Sequence, residues 1–377
     1  MTHQCQLPIK VFDFFAGCGG ASKGFDDAGL ESVFAIDNNI SAATTFSRNF
    51  PNTFINHFPL FDRPHPKTTF LLRKIEEFPV EALEPIVSHY HEYPILFAGC
   101  APCQPFSQQK TKRPEQDDRI GLLDYFRKFV EYYKPDYVFV ENVPGIQKVS
   151  IEDGGPFDLF VKTLESLKYE KDFGVVFAQN YGVPQKRKRF VLIASKLGKI
   201  KLPPKTHGPG TDHVEYSTPQ EWMADFLHLE AGEADPNDPN HQAGHLSELN
   251  LRRLRATPIG GDRLNWPTEL QLACHTNGYR GHTDVYGRVK WGEPSNCLTT
   301  KCTNITNGRF AHPEQNRAIT PREAACLQTF PRDFIFEGGV AVAGRQIGNA
   351  VPVLLAKKFG EHFNQHFSKY IEGQKDV

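Results

Sequence analysis

At 377 residues the chain can bury a large core and is long for one compact domain, so one large domain plus a smaller one is expected. Its 43 Lys and Arg nearly cancel its 44 Asp and Glu, so net charge argues neither for nor against a nucleic-acid partner. No apolar run approaches membrane-spanning length and Met1 to Lys10 has no apolar core of signal-peptide length, so no membrane association is expected and the protein is expected to be cytoplasmic.

The near-zero charge hides separated surfaces. From Phe173 to Thr211 there is no acidic residue, from His207 to Leu251 there is no Lys or Arg, and basic character returns at Arg252. The cysteines have no regular spacing, as for free thiols in a reducing compartment, and the Cys100-x-x-Cys103 pair has no second pair at zinc spacing, so no metal site is expected.

In chain order, Ile9 to Phe15 is an apolar, aromatic run ending in Ala16-Gly17-Cys18-Gly19-Gly20, followed by a predicted helix from Ala21 to Ala28 stopped at Gly29. Strand, glycine loop and helix let the backbone approach a ligand closely, although Ser22 stands where a dinucleotide fingerprint wants a third glycine. A second strand, Ser32 to Ile36, ends at Asp37, placed to accept from ribose hydroxyls or to cap the helix predicted over Ile40 to Asn49. Leu71 to Val87 has patchy helical periodicity and no motif.

Strand Ile95 to Ala98 runs into Gly99-Cys100-Ala101-Pro102-Cys103-Gln104-Pro105-Phe106-Ser107, where Pro102 and Pro105 forbid a helix and present the Cys103 thiol at a strand end. The polar, basic loop after it, to Arg119, has the length of a lid. A helix over Leu122 to Tyr133 and a strand over Tyr137 to Val140 lead to Glu141-Asn142-Val143. In an open parallel sheet the carboxyl ends of the strands share one edge, so Gly17, Asp37, Cys103 and Glu141 are expected at a common crevice.

Between the apolar runs Phe173 to Gln179 and Phe190 to Ala194, alternation puts Gln185, Arg187 and Arg189 on one, inward face and Lys186 and Lys188 on the other, where phosphate could meet them. From about Lys196 proline and glycine rise, strands shorten, and the acidic stretch around Ala234 to Asn240 reads as a flexible excursion; a second domain is expected to begin here. Its stretches around Arg280 and Arg288 carry residue types suited to base edges and phosphates. Thr320 to Phe330 is a capped helix, and Gln346 to Pro352 is expected to start a final helix running to about Phe367.

Phe15-x-Gly17-x-Gly19, Pro102-Cys103-Gln104, Glu141-Asn142-Val143, Gln185-x-Arg187-x-Arg189, Arg322-Glu323 with Gln328, and Gly348-Asn349 occur in an order that resembles the DNA (cytosine-5) methyltransferases, particularly the bacterial modification enzymes. The resemblance implies a Rossmann-like α/β sheet with helices on both faces, formed by residues 1–195 with 341–377, and a smaller irregular target-recognition domain over 196–340. It implies transfer of a methyl group from S-adenosylmethionine to C5 of a cytosine flipped out of double-stranded DNA, with S-adenosylhomocysteine as product. Phe15, Ala16, Gly17, Cys18, Gly19, Gly20, Asp37, Asn38, Pro102, Asn349 and Val351 would hold the cofactor. Asp37 stands where the family usually has Glu, and no acid before the cysteine motif is assigned to the adenine amino group.

Cytosine C5 is too weak a nucleophile to take a methyl group unaided, so by the resemblance the Cys103 thiolate first adds at C6 while Glu141 supports N3 and Arg187 and Arg189 clamp the ring and its phosphate. Gln104, Ser107, Lys186, Lys188, Arg280 and Arg288 are expected to contact DNA, and the enzyme to act as a monomer. A companion restriction endonuclease is the further partner the resemblance raises. A transfer RNA cytosine-5 methyltransferase and a binding-only protein are the rivals; the long insert before Arg317 favours duplex DNA, and retention of Cys103 and Glu141 favours catalysis.

Overall fold

The computed structural model describes residues 7–56, 67–101, 121–146, 155–275, 281 and 283–375. Two compact units divide the chain: Met1–Phe177, Lys188–Pro204 and Leu355–Val377 form one, and Ala178–Arg187 with Lys205–Leu354 the other. No helix among the described residues is long and apolar enough to cross a membrane.

The first unit is built on one sheet. Its strands are β1 (Lys10–Phe14), β2 (Glu31–Asp37), β3 (Thr53–Asn56), β4 (Thr68–Leu72), β5 (Ile95–Gly99), β6 (Tyr137–Asn142) and β7 (Glu170–Phe177), with β8 (Gln185–Lys186) belonging to the other unit and β9 (Lys188–Ser195) closing the set. They lie in the order β3-β4-β2-β1-β5-β6-β9-β7. The pairings from β3 to β6 are parallel, whereas β9 runs antiparallel to both β6 and β7. β1, β5 and β6 are buried along their whole length because helices cover both faces of the sheet, and such strands read as unbroken apolar runs.

Alternation along the strands sorts the aromatic residues. Phe12, Phe14 and Phe97 face α4 (Leu122–Tyr133) through Phe126 and Phe129, with α5 (Pro156–Ser166) packed behind through Phe160. On the opposite face Phe139 meets Phe25 of α1 (Gly20–Asp27) and Phe359 of the last helix. α2 (Ile40–Asn49) packs Phe46 on Phe70 of β4, and Asn39 caps it by accepting from the Ala42 N–H, so Asp37 is not that cap. The region Leu71 to Val87 is not the helix its periodicity hints at. β4 is followed by single 3-10 turns and the short α3 (Glu84–His89).

The second unit has α6 (Pro219–Met223), α7 (Glu248–Arg255), β10 (Ser295–Asn296) paired with β8, α8 (Pro321–Leu327) and α9 (Val340–Asn349). Trp266, Leu270, Tyr286, Leu254, Ile305, Ala311 and Ala318 form a small apolar centre. Arg263, Arg317 and Arg322 are each at most 1 % exposed, so arginines are part of this interior. The acidic stretch is not a flexible excursion. Asp238 accepts from Arg322 Nε and Nη2 at 2.5 and 3.0 Å, Asn240 exchanges hydrogen bonds with the Phe336 backbone, and His241 bonds the hydroxyl of Thr320. A buried guanidinium needs a counter-charge, and Asp238 is supplied on a loop that Pro236 and Pro239 stiffen.

The final helix is also two helices. α9 ends at Asn349 and α10 (Val353–Lys375) starts after Pro352, which lacks an N–H and disfavours helical geometry in the residue before it.

Candidate active site

The glycine loop leaves β1 through Phe15, which takes a left-handed backbone angle (φ 66), as do Gly17 (φ 54) and Gly19 (φ 93). Gly19 admits no side chain, since a Cβ there would lie 2.5 Å from the Phe50 ring. At Gly17 the surroundings are open, with no atom within 4 Å of where a Cβ would sit. Asp37, at the end of β2, accepts from the Gly17 N–H at 2.9 Å and from the Asn39 N–H at 2.9 Å. Burial raises its carboxyl above the ordinary range, and backbone N–H groups of Asn39 and Gly17 oppose that rise. Ala16, Cys18 and Gly20 are buried, Phe15 is partly exposed, and Asn38 is exposed beside Asp37. An open glycine, a ring at its rim and a carboxylate with lone pairs left over fit the adenosine part of S-adenosylmethionine.

Neighbouring strand ends carry the other groups. Cys100 donates its N–H to the Phe14 carbonyl at 3.2 Å, and Asn142 donates its side-chain amide to the Ala101 carbonyl at 3.2 Å, which fixes the exit of β5 just before Pro102. Burial is the largest cause that pushes the Cys100 thiol well up, so this cysteine stays protonated. Glu141, on β6, is buried and its Oε1 lies 2.6 Å from Nε of Arg189. The antiparallel step makes this pair possible: β9 begins where β6 ends, with Asn142 opposite Phe190 and Glu141 opposite Val191. Gly17, Asp37 and Glu141 therefore stand at carboxyl ends of parallel strands, as the sequence predicts.

In the second unit the expected alternation holds, with Gln185 and Arg187 buried and Lys186 exposed. Arg187 meets the protein's own backbone. Its Nη2 donates to the carbonyls of Gly348 and Ala350 at 3.1 and 3.0 Å, and its Nη1 to that of Leu298 at 3.2 Å. Carbonyls at a helix C-terminus lack helical partners and carry partial negative charge, which suits them to a guanidinium. Gln185 donates to the Leu327 carbonyl, and Gln328 to those of Ile347 and Ala350. The Gly348-Asn349 pair has a packing reason as well: a Cβ on Gly348 would fall 2.1 Å from the Thr299 carbonyl oxygen. Asn349 is exposed and Val351 is buried.

Among the residues expected on DNA, Lys186 pairs with Glu293, whose carboxyl is held down at about 2 by hydrogen bonds from Lys186 and Lys290. Lys188, in the first unit, is exposed with its ammonium 5.2 Å from the centre of the Phe177 ring. Arg288 is a correction. It is 3 % exposed and donates to the carbonyls of Thr257, His312, Gln315 and Leu254 and to the Asn316 side chain, which leaves its guanidinium nothing to offer a phosphate. Pro102, Cys103, Gln104, Ser107, Arg280 and the loop to Arg119 lie outside the described residues.

One buried group escapes the motif reading. Asp13, the next-to-last residue of β1, is fully buried; its Oδ2 accepts from the Ser22 hydroxyl at 2.6 Å and its Oδ1 has no hydrogen-bond partner among the described residues. Burial raises its carboxyl to about 7. The signal was an acid inside an otherwise apolar strand, a placement that is rare without a partner.

A family model described as C-5 cytosine-specific DNA methylase matches residues 9–365. The chain is 35 % identical over 368 residues to the type II methylase M.HgiDII of Herpetosiphon aurantiacus, covering 96 % of each. It is 31 % identical to the type II methyltransferase M1.HphI of Haemophilus parahaemolyticus, covering 94 % of this chain and 86 % of that protein. In fold it is similar to the crystal structure of a DNA modification methyltransferase encoded within an E. coli prophage, with a TM-score of 0.70 at 20 % identity over 96 % of this chain and 99 % of that one.

Proposed function

The chain belongs to the C-5 cytosine-specific DNA methylases and is a DNA cytosine methyltransferase; from that premise we propose how its residues carry out the reaction. The observation that carries the reading is the Arg189–Glu141 pair at the carboxyl end of β6, beside the strand whose exit leads to Cys103.

S-adenosylmethionine, the methyl donor of this enzyme class, supplies an electrophilic methyl group. Phe15, the loop from Ala16 to Gly20, Asp37 and Asn38 would hold its adenosine portion, while Pro102, Asn349 and Val351 complete its site. The Cys103 thiolate forms a bond to C6 of the flipped cytosine, and the displaced electron pair makes C5 nucleophilic. Glu141 faces N3 and shares a proton with it, and Arg189 orients Glu141 through their ion pair. After C5 has been methylated, loss of the C5 proton to water returns electrons to the ring and expels Cys103. Arg187 is a positioning residue that fixes the Gly348 to Ala350 turn. Gln104, Ser107, Lys186, Lys188 and Arg280 would contact DNA, with sequence readout over 196–340. The enzyme is proposed to act as a cytoplasmic monomer on the nucleoid, alongside a companion restriction endonuclease, in keeping with its type II relatives.

Labelled S-adenosylmethionine with duplex DNA or transfer RNA tests the substrate, and label found only in RNA would sink the duplex reading. Duplexes carrying 5-fluorocytosine, whose C5 has no proton to lose, should trap the protein covalently, and Cys103→Ser should abolish trapping while cofactor binding persists. Trapping by that variant would remove Cys103 from its role.

A further inference from the structure

We propose that Asp13 links cofactor capture to the loss of a proton: below neutral pH the carboxyl group buried beneath the glycine loop keeps its proton in the free protein and gives it up when the cationic methyl donor is bound. The inference rests on the loop holding S-adenosylmethionine.

The geometry makes Asp13 an incomplete site. β1 pairs Asp13 with Ala35 of β2 and with Ala98 of β5, and Phe14 follows it into the loop, so the carboxyl sits one residue inside the strand end and against the first turn of α1. One oxygen is satisfied by Ser22, and the other is buried with no hydrogen-bond partner among the described residues. A carboxylate so placed needs a counter-charge. The titratable or charged groups acting on it from every side are Asp26 of α1, Cys18 of the loop, Asp37 at the end of β2 and Cys100 after β5. Among the described residues none of these is a cation. The two thiols are neutral, with Cys18 itself pushed up to about 12, and the two other carboxylates repel a further negative charge.

Burial is the largest cause holding the Asp13 carboxyl at about 7, and the Ser22 hydrogen bond opposes it. A sulfonium ligand brings positive charge to the loop above and favours the ionised form. Below about pH 7 binding then expels a proton and tightens as pH rises, by at most about tenfold per unit, and above that range the dependence vanishes.

The test is titration calorimetry of the full chain with S-adenosylmethionine, in buffers of different ionisation enthalpy between pH 6 and 8.5. The ligand's own amino group titrates alike in all variants, so the quantity read is wild type minus Asp13→Asn. That difference should be about one proton released at pH 6, falling to none by pH 8.5. Ser22→Ala removes the hydrogen bond that favours the carboxylate and should move the midpoint upward. Proton release that persists in Asp13→Asn, or a midpoint unmoved by Ser22→Ala, overturns the inference; should Asp13→Asn not fold, the midpoint decides alone. Absence of any binding heat in the wild type would defeat the cofactor reading itself, which separates the two failures.

Discussion

The two units are stabilised by different chemistry. In the first, aromatic residues of a mostly parallel sheet pack against helices on both faces, and the buried polar groups Asp13 and Glu141 lie at the edge that carries the site. In the second, arginines do work that Phe and Leu do in the first: Arg187, Arg288, Arg317 and Arg322 are buried and hydrogen-bond carbonyls or carboxylates that lie far away in sequence. A unit with little regular structure exposes many backbone carbonyls to its own interior, and a guanidinium with five donors can satisfy several at once.

The contrast is broken most sharply at Arg317, which makes a bidentate pair with Glu323 at 2.7 Å for both contacts, with neither side chain exposed. Arg317→Ala leaves Glu323 buried without its partner and should destabilise the protein by about 3–5 kcal/mol in urea unfolding. A loss below 1 kcal/mol would mean that the apolar centre around Trp266 is sufficient by itself. Next in size is Arg189→Ala, which should lower methyl transfer by about 100-fold with cofactor binding unchanged. An equal loss of cofactor binding would show that the ion pair serves the fold of the sheet edge instead.

Acid separates the units by the sign of its effect. Burial, opposed by Glu323, holds His312 down at about 3, so it is neutral in the folded chain while the unfolded chain takes up a proton below pH 6.5. Its contribution is complete above pH 6.5 and is lost as pH falls, by at most about 1.4 kcal/mol per unit. Asp13 acts oppositely. Its raised carboxyl favours the folded state below about pH 4 and loses that advantage as pH rises toward 7. Melting curves should therefore show His312→Gln flattening the loss of stability from pH 6.5 to 5, and Asp13→Asn gaining on the wild type from about pH 4 to 7. The smallest effect belongs to Lys188→Ala, which should reduce the salt dependence of DNA binding by about one ion and leave sequence preference alone.

The same contrast explains what could be read from the chain. β1, β2, α2, β5, α4 and β6 are local, with apolar runs or helical periodicity bounded by glycine or caps, and their strand ends gave Gly17, Asp37 and Glu141. Motif spacing also found Arg187 and Arg189 but could not tell their tasks apart. Whether an inward arginine meets a carboxylate on the neighbouring strand or the carbonyls after residue 347 depends on long-range contacts that alternation does not encode. The burial of Arg288 was illegible for the same reason, since its acceptors lie 24 to 34 residues away. Asp238 carries the same lesson in reverse: a proline-rich acidic loop looks unstructured until the buried cation 84 positions later is known.

The Gly348 contact bears on how such an enzyme could be re-targeted. Residues 185–187, 295–298 and 348–350 are stitched together by β8–β10 pairing, by Gln185 and by the three carbonyls on Arg187. A chimera that exchanges readout sequences with a crossover falling between these three strips would join halves never fitted to one another. A donor segment that begins after Arg187 and ends before Ser295 would fare no better, since it parts Asp238 from Arg322 and Arg288 from its acceptors at His312 and Gln315, so all three strips and these pairs should come from one parent.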